Sequence, residues 1–179
     1  MTYQKPLLLL DVDGPLNPYG ARSCPNGYQM HRIKPDGWSN ELRVWLNPRH
    51  GRMLQEITRY VELVWATAWR DEANTFIGPR IGLPQLPVIQ FERPTHAAKH
   101  IWKLTAVEQY VGHRAFAWFD DDFTRADLDW AAVRSIEIAP TLLHSIDPAI
   151  GIVRADVDSV ERWAHTQLAL ASNRNPGWD

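Results

Sequence analysis

Short apolar runs recur along the chain, and between them lie stretches with helical spacing. Pro6 to Leu10 is almost wholly apolar and ends at Asp11. Val61 to Ala66 has the same character, and so does Ala115 to Phe119, which ends at Asp120-Asp121-Asp122. Uninterrupted apolar runs of this length read as strands covered on both faces, the habit of parallel sheets. Pro87 to Gln90 and Val133 to Ile138, closed by Pro140, complete an expected set of five core strands. Between them, helices are expected over Pro48–Tyr60, Asp71–Ile81, Trp102–Val111 and Thr124–Ala132, with a last one over Asp156–Leu170. Met53, Ile57 and Val61 fall on one helical face. Gly78-Pro79 should interrupt the second helix, Gly112 stops the third, and Thr124 is placed to cap the fourth.

Strands alternating with helices predict an α/β three-layer sandwich around a central parallel sheet of Rossmann-like type. One segment departs from the alternation. A Pro/Gly/Asn-rich loop from Asn17 to Gly27 leads into two short runs, Tyr28 to Ile33 and Leu42 to Leu46, separated by Lys34-Pro35-Asp36-Gly37. Pro-Asp-Gly is turn chemistry, so a small β-hairpin flap is expected here rather than a separate domain. Residues 1–172 then form a single domain with residues 17–47 as its insert, and 173–179 read as a frayed tail.

Composition narrows the class. The 179 residues, 45% hydrophobic and 22% charged, suit one globular core. A net charge of −2 gives no basic footprint for nucleic-acid backbones. Cys24 is the only cysteine, which excludes an internal disulfide and a thiolate metal cage. Leu7–Leu10 is too short for a secretory signal, and no run nears the roughly 18 apolar residues that span a bilayer. No membrane is expected, and the cytoplasm is the default compartment. The nine tryptophans are scattered, which suggests packing rather than a repeat.

The candidate chemistry lies where the strands end. Ligands of open parallel sheets bind beyond the carboxyl ends of the strands. There the first strand delivers Asp11 and Asp13, the second Thr67, and the fourth Asp120, Asp121 and Asp122. Lys103 begins the helix before that fourth strand. Converging carboxylates repel, and a hard divalent cation with oxygen ligands, Mg²⁺, resolves the conflict. The seven histidines contain no HExxH pattern, which argues against a zinc hydrolase.

These residues resemble the signatures of haloacid-dehalogenase-like phosphatases. Leu8-Leu9-Leu10-Asp11-Val12-Asp13-Gly14-Pro15-Leu16-Asn17 is similar to the first, hhhDxDGxLN. Val64-Trp65-Ala66-Thr67 is similar to the second, Lys103 to the third and Trp118-Phe119-Asp120-Asp121 to the fourth, all in the family's order. The resemblance implies a Mg²⁺-dependent phosphohydrolase acting on a phosphomonoester, a small molecule or a nucleic-acid end. Asp11 would take the phosphoryl group and Asp13 would serve as general acid and base. Thr67 and Lys103 would bind the phosphoryl group. Asp11, Asp13 through its carbonyl, Asp120 and Asp121 would hold the metal. Lys99 is an alternative to Lys103, and Asp122 reads as a capping or outer residue.

The two gaps that hold a cap domain in the family are short, so the resemblance is to a capless or minimal-cap member. Trp69 and Arg70 follow Thr67 and are candidates for substrate contact, by stacking on a base and by binding a second phosphate; the plainer reading is packing and a solvated helix start. His113 and His144 show no partner in the pattern. A phosphotransferase remains open, since acceptor identity is not written in these motifs. A non-catalytic regulatory module would be expected to lose Asp11, Asp13 or Lys103, and all three are present. A phospho-accepting receiver domain fits poorly, because its acids occupy different strands.

Overall fold

The computed structural model describes residues 4–36, 38–91 and 101–173. It is an α/β structure built on a four-stranded parallel sheet flanked by helices, compatible with a Rossmann-like core. In chain order the strands are β1 (Leu7–Leu10), β2 (Gln29–Ile33), β3 (Leu42–Leu46), β4 (Glu62–Trp65), β5 (Phe116–Asp120) and β6 (Thr141–Ser145). The α-helices are α1 (Arg49–Glu56), α2 (Gly78–Ile81), α3 (Ile101–Val111), α4 (Arg125–Glu137) and α5 (Arg154–Asn173). Strand order in the main sheet is β4-β1-β5-β6, all parallel, and β2 and β3 form a separate antiparallel pair.

β1 sits at the centre because its four leucines can be buried on both faces. Leu8 and Leu10 join the layer formed with Leu54, Ile57, Val157 and Val160. Leu7 and Leu9 join the opposite layer with Val107, Val111 and Phe116. Complete burial of a leucine is worth about 2–3 kcal/mol, so the period-two split of one strand ties both helical layers to the sheet. Two backbone bonds level the strand ends: Asp11 N–H donates to the Phe119 carbonyl and Ala66 N–H to the Leu10 carbonyl. The residues that follow β1, β4 and β5 therefore emerge at one edge.

Helix α1 can approach the α2 turn closely because residue 51 is glycine; a Cβ there would collide with the Ile81 carbonyl. At Gly78-Pro79 the expected helix changes type instead of stopping. A π-type turn over Ala73–Ile77 widens the backbone, and Pro79 then falls in the first turn of α2, where its missing N–H costs nothing.

Two expected strands differ from the structure. Residues Val133 to Ile138 are not a strand: Val133 to Glu137 are the last turns of α4, and Ile138 is its C-cap. The Thr124–Asp127 capping box starts this helix, and Val133 and Ile136 lie on its solvent face, so their β-branched chemistry reports no buried strand. The strand follows Pro140 instead, as β6. Pro87 to Gln90 is reduced to one parallel bridge between Val88 and Trp65, although Trp65 N–H donates to the Pro87 carbonyl and Ile89 N–H to the Trp65 carbonyl. The Lys99 alternative, the Gly37 turn position and the tail beyond Asn173 lie outside the described residues. No described helix is long and apolar enough to cross a membrane.

Candidate active site

Directly after β1 the chain turns through Asp11-Val12-Asp13-Gly14. Leu16 N–H and Asn17 N–H both donate to the Val12 carbonyl, and Gly14 N–H donates to the Asn17 carbonyl. Gly14 is required twice over. Its φ of 88° lies in the left-handed region, and a Cβ there would run into the Asp121 carboxyl group. The glycine of the first motif therefore makes room for the last acid of the fourth.

Lys103 reaches in from α3. Its Nζ donates to Asp11 Oδ2 at 2.7 Å and to Asp120 Oδ2 at 2.8 Å. Asp11 and Asp120 are buried, while the lysine side chain keeps 22% of its surface exposed. Asp11 Oδ1 accepts the N–H of Val12 at 2.7 Å, and Asp120 Oδ1 accepts that of Asp122 at 3.1 Å. One carboxylate oxygen each from Asp11, Asp120 and Asp121 lies within 4.8 Å of the others, an all-oxygen set able to hold a metal ion.

Charge is unbalanced in this cluster. Burial and the neighbouring Asp11 charge push Asp120 up to about 7, against the opposing pull of Lys103. Burial and Asp11 raise Asp13 as well, with the hydrogen bonds it accepts holding the rise back. Asp121 is raised by burial and Asp11, although a bond from Tyr19 opposes this. For Lys103, burial works downward but the two carboxylates override it, and the ammonium is held above its usual range. Three carboxylates face one ammonium, so the site lacks positive charge, which a bound cation would supply.

Asp13 stands beside this cluster with both oxygens engaged. Asn17 Nδ2 donates to Oδ1 at 2.8 Å and Trp69 Nε1 donates to Oδ2 at 2.9 Å. Thr67, which follows β4, is fully buried, and its hydroxyl oxygen lies 3.4 Å from the Trp69 N–H. Asp11, Lys103, Asp120 and Asp121 are brought together directly, and Asp13 is joined to Thr67 through Trp69.

The two proposed substrate contacts differ from each other. Trp69 is 6% exposed and turned toward Asp13, a position far better suited to hydrogen bonding than to stacking on a base. Arg70 is exposed, with a left-handed φ of 53°, and its Nε donates to Gln90 Oε1 at 3.3 Å. Asp122 does not cap α4, a role that belongs to Thr124. His144 has a partner after all, in Asp156 at 2.9 Å.

Three neighbours carried no assigned role in the sequence. Asn17 follows Asp13 by four residues, a spacing that a tight turn closes. Tyr19 donates its hydroxyl proton to Asp121 Oδ2 at 2.6 Å. Trp45 N–H, from β3, donates to Asn17 Oδ1 at 3.0 Å, and nothing in the local pattern announces it. No protein-family model matches the chain, and no curated protein matches it in sequence.

Proposed function

We propose that this chain is a Mg²⁺-dependent phosphohydrolase that works through an aspartyl-phosphate on Asp11, in the manner of the haloacid-dehalogenase-like phosphatases. One observation carries the reading: Lys103 bridges Asp11 and Asp120 at the edge where β1, β4 and β5 end. A lysine that joins the nucleophile to a metal acid puts a fixed positive charge where a phosphoryl group would lie.

Asp11 attacks phosphorus with one carboxylate oxygen as the ester P–O bond breaks. Asp13 gives its proton to the departing oxygen, then takes one from the water that cleaves the acyl-phosphate and releases orthophosphate. Thr67 hydrogen-bonds the phosphoryl oxygens and Lys103 neutralises their charge. Asp11, Asp120 and Asp121, with the Asp13 carbonyl, would hold Mg²⁺, which suits an all-oxygen donor set short of positive charge. The bound ion would offset the negative charge shared by phosphate and carboxylates.

The only described insert between the first two motif positions, apart from α1, is the β2–β3 hairpin, read as a flap beside the site. Its Trp45 reaches Asn17, and Asp36 N–H donates to Glu72 Oε1 at 2.5 Å. So small an insert leaves room for a large phosphomonoester such as a nucleic-acid end. Arg70, exposed and next but two to Thr67, is available to a second phosphate.

Hydrolysis of p-nitrophenyl phosphate tests the reading. Turnover is expected with Mg²⁺, to vanish with EDTA, and to fall by about 10⁴-fold or more in Asp11→Asn. Turnover that survives in Asp11→Asn would refute it.

A further inference from the structure

Resting on that reading, we infer that Trp69 is a positioning residue for the general acid: with Asn17 it clamps the Asp13 carboxyl so that its proton can go only to the leaving group. The two partners of Asp13 offer donors and no acceptor. An indole N–H can only donate. An asparagine side chain could present either end, but Asn17 Oδ1 is taken up by the Trp45 N–H, which leaves Nδ2 facing Asp13. A proton on Asp13 therefore finds no acceptor among these neighbours and stays available on the free lone-pair side of the carboxyl group.

The clamp is rigid because its two arms come from different parts of the fold. Trp69 is buried among the residues of the larger core layer and follows the fully buried Thr67 by two positions. Asn17 is buried as well, and is held by β3 on one side and by the Gly14 N–H on the other. Asp13 thus depends on the end of β4 and on the hairpin together. General acids lose effect quickly when the carboxyl group can rotate away, since proton transfer requires hydrogen-bond reach at the moment the bond breaks.

In the step at issue, the Asp11 oxygen bonds to phosphorus, the P–O bond to the leaving group breaks, and the Asp13 proton moves to the departing oxygen. Assistance matters in proportion to the basicity of that oxygen. Phenyl phosphate and p-nitrophenyl phosphate are close in shape but differ in this respect, because the nitrophenolate leaves with little need of a proton. kcat/KM reports only the events up to formation of the acyl-phosphate, so later use of Asp13 as a base does not enter.

The full chain with Mg²⁺ is assayed on both esters for wild type, Asp11→Asn, Trp69→Phe, Asp13→Asn and the Trp69→Phe/Asp13→Asn double variant. Trp69→Phe is expected to lower kcat/KM about 10-fold for phenyl phosphate and less than about 2-fold for p-nitrophenyl phosphate. In the Asp13→Asn background it should cost nothing further. Asn17→Ala, which removes the other arm, should show the same split, and serves where Trp69→Phe does not fold. Equal losses on the two esters, or a full additional loss in the double variant, would reduce Trp69 to packing and overturn the inference while leaving the phosphatase reading intact. Turnover undiminished in Asp11→Asn would overturn both.

Discussion

Two cations, one half-buried and one buried, occupy opposite ends of β5. Lys103 at the strand-end edge is surrounded by acids, with Asp11 and Asp120 both within 2.8 Å. Arg134 on α4 is 2% exposed, yet its guanidinium makes no ion pair among the described residues. It donates to the carbonyls of Gly112, Arg114 and Ala139 and to the Thr141 hydroxyl, and lies over the Phe116 ring. Burial draws Arg134 below its usual pKa, whereas the carboxylates lift Lys103 above its own. Carbonyl dipoles hold a charge in place and stitch the α3–β5 turn to the start of β6. Carboxylates leave excess negative charge, which a bound cation would offset. A charge neutralised by dipoles is an anchor; under the proposed function, a charge set among surplus acids is equipment for a reaction.

Substituting each cation by methionine should separate these roles. Lys103→Met is expected to lower turnover by about 10²- to 10³-fold. Arg134→Met should leave kcat of the folded protein unchanged and lower unfolding free energy by about 3 kcal/mol, because several buried acceptors lose their donor. Denaturant melts run beside the kinetics check both, and a large kcat loss in Arg134→Met would break the contrast.

A third base takes neither course. His50 is almost fully buried against Tyr28, whose hydroxyl lies 3.4 Å from Nε2, and burial pushes its pKa down to about 4. The unfolded chain takes up a proton at this site below about pH 6.5, while the folded protein resists it. The stability it supports is therefore whole above about pH 6.5 and declines as the pH falls toward 4. Between pH 7.5 and 5.5 the loss should be about 1.4 kcal/mol. The raised carboxylates act in the opposite sense, so the readout is wild type against His50→Gln. Identical pH slopes would show that His50 is not kept neutral.

The two regions also differed in how far the sequence disclosed them. The acid edge was legible because parallel strands buried on both faces leave an apolar run, and polar residues just beyond it stand out. Asp11 and Asp120 could be named from the strand ends, while the lysine was left between Lys103 and Lys99. Around Arg134 the signal inverted: Val133, Ile136 and Ile138 are apolar but exposed, Ile136 at 86%, and the buried residue is the arginine. The edge strand β6, Thr-Leu-Leu-His-Ser, is only partly buried and carries no continuous apolar run. Within the site, Trp69 was visible as a residue but its partner was not. Its link to Asp13 joins positions 56 apart in the chain, and Trp45 reaches Asn17 across 28, distances at which local pattern carries no information.

The most direct test of the account is chemical trapping of Asp11. The full chain is quenched during turnover of p-nitrophenyl phosphate with Mg²⁺, and the product is reduced with borohydride, which converts an acyl-phosphate to an alcohol. Peptide mass spectrometry should then find Asp11 as homoserine, dependent on substrate and on the metal, with Asp13, Asp120 and Asp121 unchanged. Sustained turnover with Asp11 unmodified, or reduction at another carboxylate, would contradict it.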